Sequence, residues 1–264
     1  MDETKQKFQS LENGFNQFIK EFGGELISEL MPQSANMPDN ADYLFRQQQI
    51  IVELKCLEKD HYQTEDDYSE LIKRIKKEFK KGYVSESEIT QWVNKQKTSE
   101  KIFSIIISAL RRTIEDRIRQ AKNQIAKSKE FFGITDSVGF LFFANDGNYF
   151  PPHIHIKIIQ ELILKKYSSD INGFVYFTTD RFCELSDIKG NGILWLQYDW
   201  INNQGRQQEV SDFIMKLGSK WAEFVCSHTD RQATLISDWN KEEVTEQLSS
   251  IKLVRPNQII YWGY

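Results

Sequence analysis

Cysteine is scarce in this chain, three residues in 264, and the three lie far apart at Cys56, Cys183 and Cys226. An odd number without CxxC spacing argues against a disulfide framework or a zinc site and fits reduced core thiols in a cytoplasmic protein. Long apolar runs are also missing. None approaches the ~20 residues that a membrane-spanning helix needs, so no membrane partner is expected. The opening MDETKQKFQS lacks the basic-then-apolar order of a secretory leader. No GxxxxGK followed by Ser or Thr, no GxGxxG, no HExxH and no GxSxG occurs. Those absences disfavour P-loop, dinucleotide, zincin and α/β-hydrolase chemistry. Internal repeats and low-complexity stretches are absent too.

Apolar residues are plentiful, 40% of the chain with 13% aromatic, enough to offset chain entropy and specify a folded core. The net charge of -4 conceals an uneven distribution. Residues 70–130 hold 16 basic and 8 acidic residues, leaving 18 basic and 30 acidic elsewhere. An acidic body with a basic segment fits a polyanionic partner, although two solvated Lys-rich helices give the same count.

Apolar positions spaced by three and four predict an amphipathic helix over 4–31 with a break at Gly23-Gly24, where Glu25 and Glu29 share a face. MPQSANMPDN then stops it. ADYLF and QIIVELKC read as a β-hairpin joined by a polar turn. A basic helix follows over 68–81, ending at Gly82, then a short helix opened by Ser85 or Ser87. A long helix is expected over 99–130, with Ile102, Ile106, Leu110, Ile114, Ile118, Ala121 and Ile125 along one stripe. SVGFLFFA is apolar throughout, as a strand buried on both faces would be. The remainder reads as a helix over 153–167 and a strand INGFVYFTT, then strands GILWLQYDWI and EFVCSHT with a helix over 210–218 between them. The order defines one elaborated α/β domain with a mixed sheet flanked by helices.

The hairpin carries an awkward set of charges. Period two along QIIVELKC sends Glu53 and Lys55 to one face and Val52, Leu54 and Cys56 to the other. If 43–46 pairs antiparallel with 49–52, Asp42 comes level with Glu53. Two carboxylates and a backbone carbonyl can then meet beside an ammonium. Hard divalent cations take such oxygen donors, and Mg²⁺ commonly binds one or two carboxylates together with phosphate. A cross-strand salt bridge is the plainer explanation, contributing about 0–1 kcal/mol when exposed. Helices covering both faces make the plainer explanation less sufficient, because covered charges need a partner. His153 and His155 show no third ligand and read as core or capping residues. Asp39 sits among turn residues and suits an Asx-turn or cap.

Asp42, ten residues, then Glu53-Leu54-Lys55 on an apolar hairpin resembles the PD-(D/E)XK, restriction-endonuclease-like nuclease superfamily. The preceding helix and the helix and strand that follow match that superfamily's core order over roughly residues 25–180. The resemblance implies a restriction-endonuclease-like core at 1–56 and 99–180, a basic helical insertion at 57–98 and a C-terminal α/β extension at 181–264. It further implies a Mg²⁺- or Mn²⁺-dependent phosphodiesterase in which Asp42 and Glu53 hold the metal and Lys55 is the catalytic lysine. Glu29, on the helix before the hairpin, would supplement the metal shell. The implied partner is nucleic acid, DNA in the first place, and a homodimer is left open. Lys73, Arg74, Lys77 and Lys80 on one helix, with Arg111 and Arg112 on the next, would grip phosphates from either side of a cleft. A nuclease-like fold kept only for binding or assembly is the alternative.

Overall fold

The computed structural model describes residues 11–31, 39–57, 65–93, 99–145, 152–178, 183–185, 188–202, 204–228, 233–237 and 252–253. At its centre lies a six-stranded sheet in the order β1-β2-β3-β4-β5-β7. These strands are Glu25–Leu26 (β1), Tyr43–Phe45 (β2), Ile50–Cys56 (β3), Val138–Asn145 (β4), Gly173–Thr178 (β5) and Ile188–Asp199 (β7). The inner trio β3, β4 and β5 runs parallel, and β2 and β7 pair antiparallel at its sides. The sheet is therefore mixed, as the alternation of strands and helices predicts. Beyond it, β6 (Cys183–Leu185) pairs β7 and β9 (Lys252–Leu253), and β8 (Ala233–Ile236) pairs β7.

One face of the sheet packs on α5 (Glu100–Phe131) and α6 (Pro152–Leu162). Two shorter helices, α3 (Glu65–Lys80) and α4 (Glu86–Val93), close over α5 and join the same core through Ile75 and Trp92, with Val84 from the turn between them. The other face packs on α1 (Leu11–Phe22) and α7 (Gln204–His228), around Phe15, Phe18, Trp195 and Trp221. Parallel strands covered on both sides must be apolar throughout, and every residue of β4 and β5 is buried. Period two is kept on β3: Ile51 faces α5, whereas Val52, Leu54 and Cys56 face α1 and α7. Among the described residues, no helix is long and apolar enough to cross a membrane.

Local chemistry explains the helix ends. Ser85 and Glu88 form a reciprocal capping box at α4, the side chain of each meeting the other's backbone N–H. The side chain of Ser99 caps α5 by accepting from the Ile102 N–H. Gly82 follows α3 with φ +74°, the left-handed geometry expected at that position.

Two expectations are corrected here. The helix expected over 4–31 breaks at Gly23-Gly24, as its glycines suggest, and residues 4–10 lie outside the described residues. α1 ends at Phe22, where Gly23 at φ +95° and the Gly24 N–H to Ile19 carbonyl bond close a Schellman turn. The chain then forms the two-residue β1 and the short helix α2 (Ile27–Leu30), so Glu25 and Glu29 do not share a helix face. The second concerns EFVCSHT: its residues 223–228 are not a strand but the end of α7, and Thr229 lies outside the described residues. Its buried set, Val210, Ile214, Leu217, Trp221, Phe224 and Val225, keeps the helical spacing throughout. Gly218 lies inside that helix because a Cβ there would stand 2.5 Å from the Trp195 ring. Gly218→Ala is therefore expected to destabilise the protein by roughly 1–3 kcal/mol through overpacking, despite alanine's better helix propensity. A lower urea midpoint with an unchanged slope is the result to look for.

Candidate functional site

The hairpin register sets the site. Tyr43 pairs with Val52, Leu44 with Ile51 and Phe45 with Ile50, so Asp42 and Glu53 are the next positions outward on neighbouring strands. The Asp42 backbone is fixed from both sides, its N–H donating to the Val52 carbonyl and its carbonyl accepting from the Ile27 N–H. Its side chain then takes over where the ladder stops: Oδ2 accepts from the Leu54 N–H at 2.7 Å. A strand residue's N–H and C=O face the same side, so the Leu54 carbonyl opens toward Asp42 as well.

Glu53 is only 1% exposed, although it lies on a sheet face otherwise lined by Ile51 and Leu141. Lys55 Nζ meets its Oε1 at 2.5 Å, and Oε2 is buried with no hydrogen-bond partner. The ammonium also donates to Gln124 Oε1 at 2.9 Å. Gln124 belongs to α5, and its Nε2 donates to the Asn40 carbonyl at 3.0 Å. One turn further along, Ser128 Oγ accepts from the Ala41 N–H. The long helix therefore holds the segment leading to Asp42 at two points and the Lys55 amine at one.

Electrostatics in this cluster is dominated by burial. Loss of water raises the Glu53 carboxyl to about 8, helped by the facing Asp42 carboxyl and opposed by Lys55. Burial also raises Asp42, against the pull of the Leu54 N–H and the Lys55 charge. The short Lys55 contact favours an ionised Glu53, while burial and Asp42 favour its acid form. Burial prevails, because Lys55 reaches only one oxygen and the acid form of Glu53 hydrogen-bonds to the Asp42 carboxylate. Two facing carboxyls in a dry site hold a proton or a cation between them, since like charges at close range cannot both stay bare.

The donor set fits a hard divalent cation of the Mg²⁺ or Mn²⁺ type: two carboxylates, one with a buried uncommitted oxygen, and a backbone carbonyl at the strand edge. No cluster of three or more Asp, Glu, His or Cys occurs among the described residues. Coordination completed by water and phosphate is the arrangement such a pair suits. Glu29 is not gathered with the pair. Its carboxylate is bonded to Lys20 at 2.5 Å and is 57% exposed. Asp39 is exposed. His155 is fully buried and stacks on Tyr176, a core role.

The six basic residues divide. Arg74, Lys77, Arg111 and Arg112 line one open groove of about 710 Å³ between α3 and α5, together with Tyr83, Ser104 and Ser108. Lys73 and Lys80 lie on the exposed side of α3, outside that lining. Gln124 carries no local signal of its own in the sequence. The signal available was its neighbour Ser128, a buried polar residue continuing the stripe Ile114, Ile118, Ala121 and Ile125.

No protein-family model, curated protein or solved structure matches the chain.

Proposed function

We propose that the chain is a metal-dependent phosphodiesterase with a restriction-endonuclease-like core, acting on DNA, of the kind used in restriction, repair or defence against mobile elements. The supporting observation is the pairing of Asp42 and Glu53 on adjacent strands, buried, with one Glu53 oxygen unpartnered and an amine two residues on. Asp42 and Glu53 would hold Mg²⁺ or Mn²⁺. A cation of this type, when bound, acidifies a coordinated water and neutralises charge on phosphate oxygens. The protein's own residues supply the rest. Asp42 keeps its orientation through the Leu54 N–H. Gln124 keeps the Lys55 amine at the site when the Glu53 carboxylate turns to another partner. There the ammonium stabilises negative charge developing on the phosphoryl group. Covering helices exclude bulk water and strengthen each of these interactions.

Millimolar Mg²⁺ or Mn²⁺ is expected to raise the melting temperature, since a ligand that binds only the folded state stabilises it, by about 2.7 kcal/mol at a hundred times Kd. Asp42→Asn should abolish the shift. The Lys55–Glu53 contact favours a second reading, in which the trio is a buried salt bridge inside a binding or assembly module. A melting temperature indifferent to metal is the result that reading requires.

Gln124→Ala separates positioning from coordination. Cleavage is expected to fall about tenfold in kcat with the metal-induced stabilisation kept, because the amine loses its tether while both carboxylates remain. Equal loss of metal binding would show that Gln124 shapes the carboxylate pair instead.

A further inference from the structure

The groove between α3 and α5 is separate from the carboxylate pair and has its own chemistry. On α5 it is lined by Ser104, Ser108, Arg111, Arg112 and Glu115, a single stripe about 16 Å long by helical rise. Its two carboxylates are already neutralised from outside, Glu78 by Lys81 and Glu115 by Lys166. Arg111 is tied to Glu161. Arg74, Lys77 and Arg112 make no ion pair among the described residues. Among the described residues, the groove thus offers three uncommitted cations to an incoming anion.

Tyr83 distinguishes this groove from a plain phosphate track. Its side chain lines the groove at 46% exposure, and so contributes little to the core. The backbone holds it in place, with the Tyr83 N–H bonded to the Glu78 carbonyl and Val84 buried next to it. Lys101 covers one face of the ring, 5.7 Å from the centroid. The second face suits a flat π-system. Duplex bases have their faces covered by neighbours, whereas the bases of a single strand are free to stack on an aromatic ring.

We propose that this groove binds single-stranded nucleic acid, with backbone phosphates on Arg74, Lys77 and Arg112 and a base stacked on Tyr83. The proposal rests on the nucleic-acid reading above but not on hydrolysis. Phosphate contacts supply most of the affinity and its salt dependence, and the stacked base supplies the preference for an unpaired strand.

Fluorescence anisotropy on the full chain, in EDTA so that no cleavage intervenes, tests it with labelled single-stranded DNA, single-stranded RNA and duplex DNA. Binding to either single strand is expected to be tighter than to duplex and to weaken steeply with salt. Tyr83→Leu should weaken single-strand binding about tenfold and leave duplex binding unchanged, while Tyr83→Phe restores it. Arg112→Glu should weaken both. Unchanged single-strand affinity in Tyr83→Leu overturns the proposal, as does a preference for duplex or equal displacement by polyglutamate. Circular dichroism establishes that each variant is folded. Oligonucleotide binding that depends on Tyr83, without metal-dependent cleavage by the wild type, removes only the hydrolytic reading. Cleavage without Tyr83-dependent binding removes only this one.

Discussion

Glu53→Gln is expected to reduce Mg²⁺-dependent plasmid cleavage by about three orders of magnitude while leaving the protein folded. Charge stabilisation by a bound cation contributes several kcal/mol to such reactions, and each 1.36 kcal/mol is a factor of ten. Glutamine has the shape of the glutamic acid already favoured in this buried position, so the core need not repack. Its amide cannot serve as an anionic ligand. Asp42→Asn should match the loss, because neither carboxylate alone satisfies a hard cation in a dry site. Folded Glu53→Gln that still cuts plasmid would remove the assignment of catalysis to this pair.

The same residue dictates an unusual pH response in the metal-free protein. The ordinary carboxyl value is 4.5, and burial with Asp42 raises Glu53 to about 8 in the folded state. Between those values the folded state keeps a proton that the unfolded chain has released. Unfolding therefore releases a proton, and stability falls as pH rises. The contribution is complete below about 4.5 and gone above about 8. At its steepest, the slope approaches roughly 1 kcal/mol per pH unit. Asp42 shifts in the same direction and Lys55 opposes it, so the three titrate as one cluster. Chemical denaturation in EDTA across this range should show wild type losing stability relative to Glu53→Gln. Saturating Mg²⁺ should reverse the trend, because the deprotonated pair is the form that binds metal. Parallel stability curves for the two proteins in EDTA would show that the carboxyl is not held neutral.

Much of this site is legible in the sequence because β-hairpins are local. A polar turn of known length fixes the register, and the register alone brings Asp42 level with Glu53. Alternation on β3 likewise assigns Glu53 and Lys55 to the face away from Val52 and Leu54. The stripe on α5 and its cap at Ser99 follow from helical period and capping chemistry. Other parts depend on contacts distant in sequence. Gln124 reaches Lys55 across 69 positions, and no local pattern pairs an amide on a helix with one particular amine on a strand. Gly218 reads as a helix stop until Trp195, from the central sheet, is seen packed against it. Phe224, Val225 and Cys226 have strand-like composition, but the far side of a sheet needs a covering helix there, and burial decides. Glu29 lies apart from the pair for a related reason: two glycines reset the chain direction before it.

The length of α5 carries one more consequence. Ser108 in the basic groove and Gln124 beside Lys55 belong to one unbroken helix, sixteen residues apart and so about 24 Å by rise. If both proposals hold, a strut of that kind would fix an offset: a chain gripped at one end would be presented at the other a set number of units away, whatever its sequence. Bending α5 in its middle would blur that measure without altering either end.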